Sequence, residues 1–194
     1  MTIKRYFATR AIVCYKHIPA MMHISILVPE SSVIQAIADP QYLFNTVNQF
    51  YAMSGKSPAF EVQLVGFNKE VRLNGGCYTV RCDRLTGETN KTDLIIIPAL
   101  FGDMNYALAQ NKDLIPWILH HYANGAEVAS LCVGAFLLAA TGLVKDKKCS
   151  THWGFASELK EMYPEVNVVD GKIVTEENRI YSSGGASSYW NLLL

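Results

Sequence analysis

The chain has 194 residues, which is enough for one domain with a hydrophobic core and too short for two comfortable ones. Half of the residues are hydrophobic and 18% are charged, which is typical of a globular protein rather than a disordered one. The charges of the 17 basic and 17 acidic residues cancel, so the composition argues against a surface that binds nucleic acid or an anionic membrane. No apolar run in the sequence is long enough to span a bilayer.

The first 22 residues differ from the rest because they carry four basic residues and no acidic one. The charges are scattered, and no uninterrupted apolar core is followed by a cleavage site, so a secretory signal is not indicated. We interpret residues 1–22 as a disordered tail, a leader or the product of a start codon placed too early. The folded domain is expected at residues 23–194.

From His23 onward, strand and helix patterns alternate along the chain. A β-branched run predicts a strand at 23–29, and Ser31 or Ser32 is a candidate cap for the helix that follows. Pro40 is expected to break or kink that helix because proline lacks an amide hydrogen. The patterns then predict a strand at 60–67, a hairpin around Asn74-Gly75-Gly76, and a buried parallel strand within 92–103.

The second half continues the alternation. The patterns predict helical residues at 104–122 with a second helix start near Pro116, a strand at 126–132, helices at 133–142 and 150–164, short strands at 166–185, and a final helix at the end of the chain. This order predicts a single α/β domain, a three-layer sandwich with a mainly parallel, flavodoxin-like sheet.

The five cysteines and the histidine pair do not suggest a structural metal site. The number of cysteines is odd and no two form a CxxC motif, so a reducing cytoplasm fits better than a disulfide framework, and we expect no bridge between Cys77 and Cys82. His120 and His121 would point about 100° apart on a helix, which favours a solvated helix end. We therefore predict neither a metal nor a cofactor.

Cys132 lies where an apolar strand ends and a helix rich in small residues begins. A strand, a sharp turn and a helix form a nucleophile elbow, and Gly134 and Ala135 suit such a turn. The amides and dipole of the helix N-terminus are expected to lower the pKa of the thiol, and the Val133 amide would face an oxyanion. The alternative is that Cys132 is a buried cysteine that only packs.

His152 is the candidate partner of Cys132. It follows one helix later in the chain, and the crossover would return it to the same edge of the sheet, where a histidine activates a thiol. A structural histidine is the alternative. Trp153 is expected to pack, although its place beside His152 also suits a pocket wall. Ser182, Ser183, Gly184 and Gly185 either offer amides to an anion or form a tight turn.

Two segments carry a specific resemblance: "SLCVGAFLLAATGLVKDKKCSTHW" and "DGKIVTEENRIYSSGGASSYWNLLL". Together they resemble the PfpI/ThiJ superfamily, with its class I glutamine-amidotransferase-like fold, and most of all the N-terminal domains of AraC-type transcriptional regulators. The resemblance assigns the elbow cysteine to Cys132 and the histidine to His152. It implies oxyanion amides at Val133 and in the loop that contains Leu100, Phe101 and Gly102.

The resemblance implies that the acid of the related isonitrile hydratases is missing here. Aligned on Pro40, its position falls on Ala36, Asp39 takes the place of a glycine, and Glu30 is out of register. A thiol without its carboxylate loses about 10²- to 10⁴-fold of acid–base catalysis. Val133 also stands where those sites have a hydroxyl residue. We therefore expect a scaffold that is kept for ligand binding or dimerisation.

The resemblance implies a cytoplasmic, ligand-sensing and dimerising domain. We expect a homodimer, no membrane partner, a small-molecule effector, and contact with DNA only through a C-terminal helix-turn-helix domain outside these 194 residues. The alternatives are a cysteine-dependent hydrolase, hydratase or amidase, and a redox sensor in which Cys132 forms a sulfenic acid. The residues expected to line the ligand cleft are Cys132, Val133, Leu100, Phe101, Gly102, His152 and Trp153.

Overall fold

The computed structural model describes residues 21–169, 171–185 and 187–194. The segment interpreted as a tail or leader therefore lies outside the described residues, except for Met21 and Met22. Met22 belongs to the first strand, which starts one residue before the predicted strand at His23.

A seven-stranded sheet forms the centre of the domain. Its strands are β1 (Met22–Leu27), β2 (Phe60–Gly66), β5 (Arg84–Leu85), β6 (Leu94–Ile97), β7 (Glu127–Leu131), β10 (Val174–Glu177) and β11 (Ile180–Ser183). They lie in the order β10-β11-β7-β6-β1-β2-β5. All neighbouring pairs are parallel except β10 and β11, so the predicted mainly parallel sheet is confirmed.

The central strands are buried on both faces. All four residues of β6 are buried, and because successive side chains point to opposite faces, both faces of the sheet are covered. The covering helices are α1 (Gln35–Met53), α2 (Met104–Asn111), α3 (Leu114–Ala123), α4 (Ala135–Ala140), α5 (Ala156–Met162) and α6 (Trp190–Leu193). Continuous apolar runs in the central strands therefore produce the predicted α/β sandwich.

Helix α1 differs from the expectation in two ways. It runs without a break through Pro40, so the predicted break is wrong. Proline removes one helical hydrogen bond, but Pro40 is buried on the same side as Ile37 and Phe44, and that packing outweighs the loss. The predicted serine cap is also wrong, because the N-cap is Ile34 and the Ser32 hydroxyl donates to the Pro29 carbonyl instead.

Two small sheets flank the central one. The first is the predicted hairpin, in which β3 (Glu70–Leu73) pairs antiparallel with β4 (Tyr78–Arg81) around a turn at Asn74–Gly76. The second joins β8 (Lys148–Cys149) to β9 (Asn167–Val168). No helix in the described part of the chain is long and apolar enough to cross a membrane.

Candidate functional site

The turn between β7 and α4 has the predicted elbow geometry. Cys132 follows the last residue of β7 and has a φ of 54°, a left-handed conformation that is uncommon for a residue with a side chain. Gly134 packs directly against the end of β6. A Cβ atom on Gly134 would lie 2.5 Å from the Pro98 carbonyl oxygen and 2.8 Å from that of Ile97. Only glycine fits there, because the turn touches the main chain of the neighbouring strand.

Two side chains hold the main chain of Cys132. Its amide donates to the Ser183 hydroxyl at 3.4 Å, and the Thr151 hydroxyl donates to its carbonyl at 3.2 Å. Ser183 ends β11, and Thr151 immediately precedes His152. The loop that carries His152 therefore meets the elbow, as the crossover argument predicts.

The thiol of Cys132 is not in the state that the sequence argument predicts. Burial raises the pKa of the Cys132 thiol, and a hydrogen bond from the Val133 amide acts in the opposite direction. The expected lowering is therefore wrong, because desolvation of the thiolate outweighs the amide. Val133 itself is buried, and its amide is directed at the sulfur.

His152 is held by its own segment. Its Nδ1 accepts a hydrogen bond from the Gly154 amide at 3.1 Å, and its ring stacks on Trp153 with 5.4 Å between ring centroids. Within the described ranges, no hydrogen bond joins His152 to the Cys132 thiol. Trp153 is 83% exposed, so the expectation that it packs is wrong. The structure brings Cys132 and the His152 loop together without forming an activated pair.

The three expected site residues in the loop after β6 differ in their exposure. Leu100 is buried in the core, whereas Phe101 is 72% exposed and Gly102 is exposed with a φ of 93°. The Phe101 amide donates to the Ser31 carbonyl at 2.8 Å, so it is not free to bind an oxyanion. Of these residues, Phe101 offers a side chain to a ligand and Leu100 does not.

A carboxylate reaches this region from an unexpected position. Ala36 is buried and carries no acid, but Asp39, one turn later in α1, accepts a hydrogen bond from the hydroxyl of Tyr189. Burial raises the pKa of Tyr189, the Asp39 carboxylate raises it further, and Cys132 adds a smaller contribution. Tyr189 therefore lies within electrostatic reach of both Asp39 and the elbow.

The Asp39–Tyr189 pair is absent from the sequence-based predictions. Asp39 and Tyr189 are 150 residues apart, and no pattern within either segment points to the other. The glycine-to-aspartate departure beside Pro40 was the one available signal. Glu30, the other acid considered, is fixed through its main chain, because its amide and carbonyl both bind the Asn111 side chain at 2.8 Å.

The remaining candidates have structural surroundings. His121 is buried against Trp117, so the expected solvated helix end is wrong for this residue, and burial lowers its pKa. The Gly184 amide donates to the Ile173 carbonyl at 2.9 Å, which supports the tight-turn interpretation of that segment.

Two other observations concern the cysteines and metal binding. Cys77 and Cys82 are both free. Among the described residues, no group of three or more histidine, cysteine, aspartate or glutamate side chains could hold a metal ion.

Comparison with known families agrees with this geometry. The model of the DJ-1/PfpI family matches residues 37–194. The chain belongs to the DJ-1/PfpI family. A crystal structure of a candidate transcriptional regulator from Vibrio parahaemolyticus has the same fold, with a TM-score of 0.77 and 22% identity over 90% of this chain and 89% of that one. An AraC family transcriptional regulator from Pseudomonas putida gives a TM-score of 0.71 at 17% identity, over 89% and 88% of the two chains.

Curated relatives of this DJ-1/PfpI domain are longer proteins. The HTH-type transcriptional regulator CdhR of Pseudomonas aeruginosa is 26% identical over 110 residues, which are 57% of this chain and 32% of that protein. The HTH-type regulator GlxA of Rhizobium meliloti is 39% identical over 57 residues, 26% of this chain and 18% of that one. Isonitrile hydratase of Pseudomonas putida is 25% identical over 97 residues, 50% and 40% of the two chains.

Proposed function

We propose that this DJ-1/PfpI domain is the ligand-sensing domain of an AraC-type transcriptional regulator. The observation that carries the proposal is the state of the Cys132 site. The elbow is intact, its thiol is buried with a raised pKa, and Ala36 stands where the resemblance places the hydratase acid. A scaffold with these features binds a molecule better than it converts one, since catalysis needs a positioned acid or base. The similarity to CdhR and GlxA supports the same function.

DNA contact belongs, in this proposal, to a part of the regulator outside these 194 residues. The matched segments cover 32% of CdhR and 18% of GlxA, which leaves room for another domain in such proteins. The formal net charge of this chain is zero, so its total charge gives no net attraction to phosphates. We further propose a cytoplasmic homodimer that responds to a small-molecule effector.

The test uses the product of the complete gene and the DNA upstream of it. We expect the complete product to shift this DNA in an electrophoretic assay, with an affinity that falls steeply with salt. The 194-residue chain alone is the matched control and should leave the DNA unshifted. The proposal is contradicted if the complete product does not bind this DNA, or if it consists of little more than this domain.

A second candidate is a cysteine-dependent hydratase, hydrolase or amidase. It is favoured by the Val133 amide on the Cys132 sulfur and by the similarity to isonitrile hydratase. This candidate requires turnover that disappears in Cys132→Ser and has a pH profile that moves in His152→Ala. Turnover of an isonitrile, amide or ester substrate with both properties would establish the enzyme in place of the sensor.

A further inference from the structure

A cleft opens where the direction of chain progression across the sheet reverses. β1 and β6 are neighbours, although β2 through β5 lie between them in the sequence. After β1, strands β2 and β5 are added on one side of β1 in the sheet. The chain then crosses over, and β6 and β7 are added on the opposite side of β1. In open α/β sheets, ligands bind at the carboxyl ends of the two strands that flank such a reversal. The loops that follow β1 and β6 are the ones that form this cleft.

The cleft has the size of a small-molecule site. Its volume is about 390 Å³, within the usual range for ligand pockets. One wall is the segment after β1, a second is the tip of the β3–β4 hairpin, and a third is the loop after β6. The lining residues are Ser31, Ser32, Val33, Ile34, Gln35, Leu73, Asn74, Gly75, Tyr78 and Phe101.

Hydrogen bonds hold these walls in place without a ligand. The Phe101 amide donates to Ser31 and the Val33 amide donates to Ala99, at 2.8 and 2.9 Å. The Asn111 side chain fixes Glu30, the residue before Ser31, through both main-chain groups. A cleft with fixed walls loses little conformational entropy when a ligand binds.

The lining chemistry selects an uncharged ligand. None of the lining residues in the described part of the chain is acidic or basic. Phe101 is 72% exposed and Tyr78 is 49% exposed, so both offer ring surface, while Ser31, Gln35 and Asn74 supply hydroxyl and amide groups. A charged molecule would be partly desolvated there with no counter-charge, which is unfavourable.

We propose that this cleft is the effector site and that it takes an uncharged, ring-bearing molecule with hydrogen-bonding groups. This inference rests on the proposed sensing function, and it places the effector site away from Cys132. The resemblance implies a ligand beside Cys132 and His152. Among the described lining residues, this cleft shares Phe101 with that set. A ligand here bridges the segments that begin α1 and α2 and the hairpin, three parts of the chain with separate neighbours.

The experiment measures binding of benzamide to the 194-residue chain by saturation-transfer NMR, with benzoate and benzylammonium as charged counterparts. We expect saturation transfer to benzamide and clearly weaker transfer to both ions. Phe101→Ala should reduce the benzamide signal about fivefold, because one ring contact is lost. Trp153→Ala is the matched control: it removes another exposed ring, beside His152, and should leave the signal unchanged. Circular dichroism checks that both variants fold.

Each other outcome has a defined meaning. If Trp153→Ala abolishes binding and Phe101→Ala does not, the ligand sits beside Cys132 and the inference is wrong, while the sensing function survives. If benzamide does not bind, or the two ions bind as well as benzamide, the inference is also wrong. If the cleft binds benzamide but the complete gene product does not bind DNA, the regulator proposal is wrong, while the cleft is still supported as a ligand-binding site.

Discussion

Cys132 shows how a single buried atom decides between chemistries. A thiol with a pKa of 9.0 is roughly one-tenth ionised at pH 8, and burial raises the pKa of Cys132 above that value. The side chain is also only 6% exposed. We therefore expect iodoacetamide at pH 8 to alkylate Cys132 at least tenfold more slowly than the exposed Cys77. Peptide mass mapping over a time course measures both rates in one sample.

This comparison also separates the alternatives. The redox-sensor hypothesis requires a thiolate that mild peroxide converts to a sulfenic acid, as enzyme chemistry requires a thiolate nucleophile. Alkylation of Cys132 at the rate of Cys77 or faster contradicts the buried, protonated state and restores both alternatives. Slow alkylation of Cys132, together with no oxygen adduct on its peptide after mild peroxide, removes the support for both alternatives.

Gly134 is the residue on which the elbow depends sterically. In Gly134→Ala the new methyl group would overlap the Pro98 and Ile97 carbonyl oxygens, at 2.5 and 2.8 Å, so the turn or the end of β6 must move. We expect a loss of about 1–3 kcal/mol in the free energy of unfolding, measured by urea denaturation. Gly87→Ala is the matched control, because a Cβ there meets no atom of the described residues within 4 Å. Equal stability of the two variants would show that the turn has more space than the structure indicates.

At the scale of elements, local patterns predict most of the architecture. The alternation of apolar strands and helices, the Asn74–Gly76 hairpin and the elbow at Cys132 follow from short-range rules, and the structure confirms them. The break at Pro40 does not occur because the burial of α1 depends on the sheet, which a local rule does not contain. The serine cap fails for a similar reason: the hydroxyl of Ser32 finds a partner in Pro29.

The candidate site was predicted less completely than the fold. The motifs correctly place the loop before His152 against the elbow, because crossover geometry fixes that edge. The raised pKa of the thiol depends on how deeply the finished core covers it, and the Asp39–Tyr189 bond joins distant segments. Both are tertiary properties, so periodicity and motif spacing carry no signal for them.

The Asp39–Tyr189 hydrogen bond connects two elements, α1 and α6. Tyr189 is buried, and its carbonyl accepts the amides of Leu192 and Leu193 in α6. Tyr189→Phe keeps the ring but leaves the Asp39 carboxylate without this donor. We expect a loss of about 1 kcal/mol in unfolding free energy and faster hydrogen exchange of those two amides.

The control for this variant is Tyr106→Phe. Tyr106 is 62% exposed, so removal of its hydroxyl should change stability by less than about 0.5 kcal/mol. Hydrogen exchange followed by mass spectrometry reports the α6 peptide directly. Unchanged exchange in Tyr189→Phe would mean that α6 is held by its apolar contacts alone.

At the scale of the whole molecule, buried ionisable groups make stability depend on pH. Burial raises the pKa of the Cys82 thiol from 9.0 to about 11, with a further increase from Asp83 that Lys69 partly offsets. Burial also raises the pKa of Cys149 to about 11, against the effect of its hydrogen bond with Ser182. In both cases the folded chain keeps a proton that the unfolded chain releases.

The sign of the pH dependence follows from these directions. Below about pH 9 both states hold the thiol protons, so the contribution to stability is fully present, and it is lost as the pH rises through about 11. We expect the free energy of unfolding to fall between pH 8 and 10.5, with the two thiols accounting for about 3 kcal/mol. Urea denaturation at the two pH values measures the difference.

A double variant isolates this contribution from other alkaline effects. Cys82→Ala with Cys149→Ala is less stable at pH 8 because two buried side chains are shortened, but its stability should fall less between the two pH values. Part of the decrease should remain, because Tyr189 and Cys132 also have raised pKa values. Cys77→Ala, which removes an exposed thiol, should keep the full decrease. An identical decrease in the double variant and the original chain would mean that these thiols ionise as easily in the folded state as in the unfolded one.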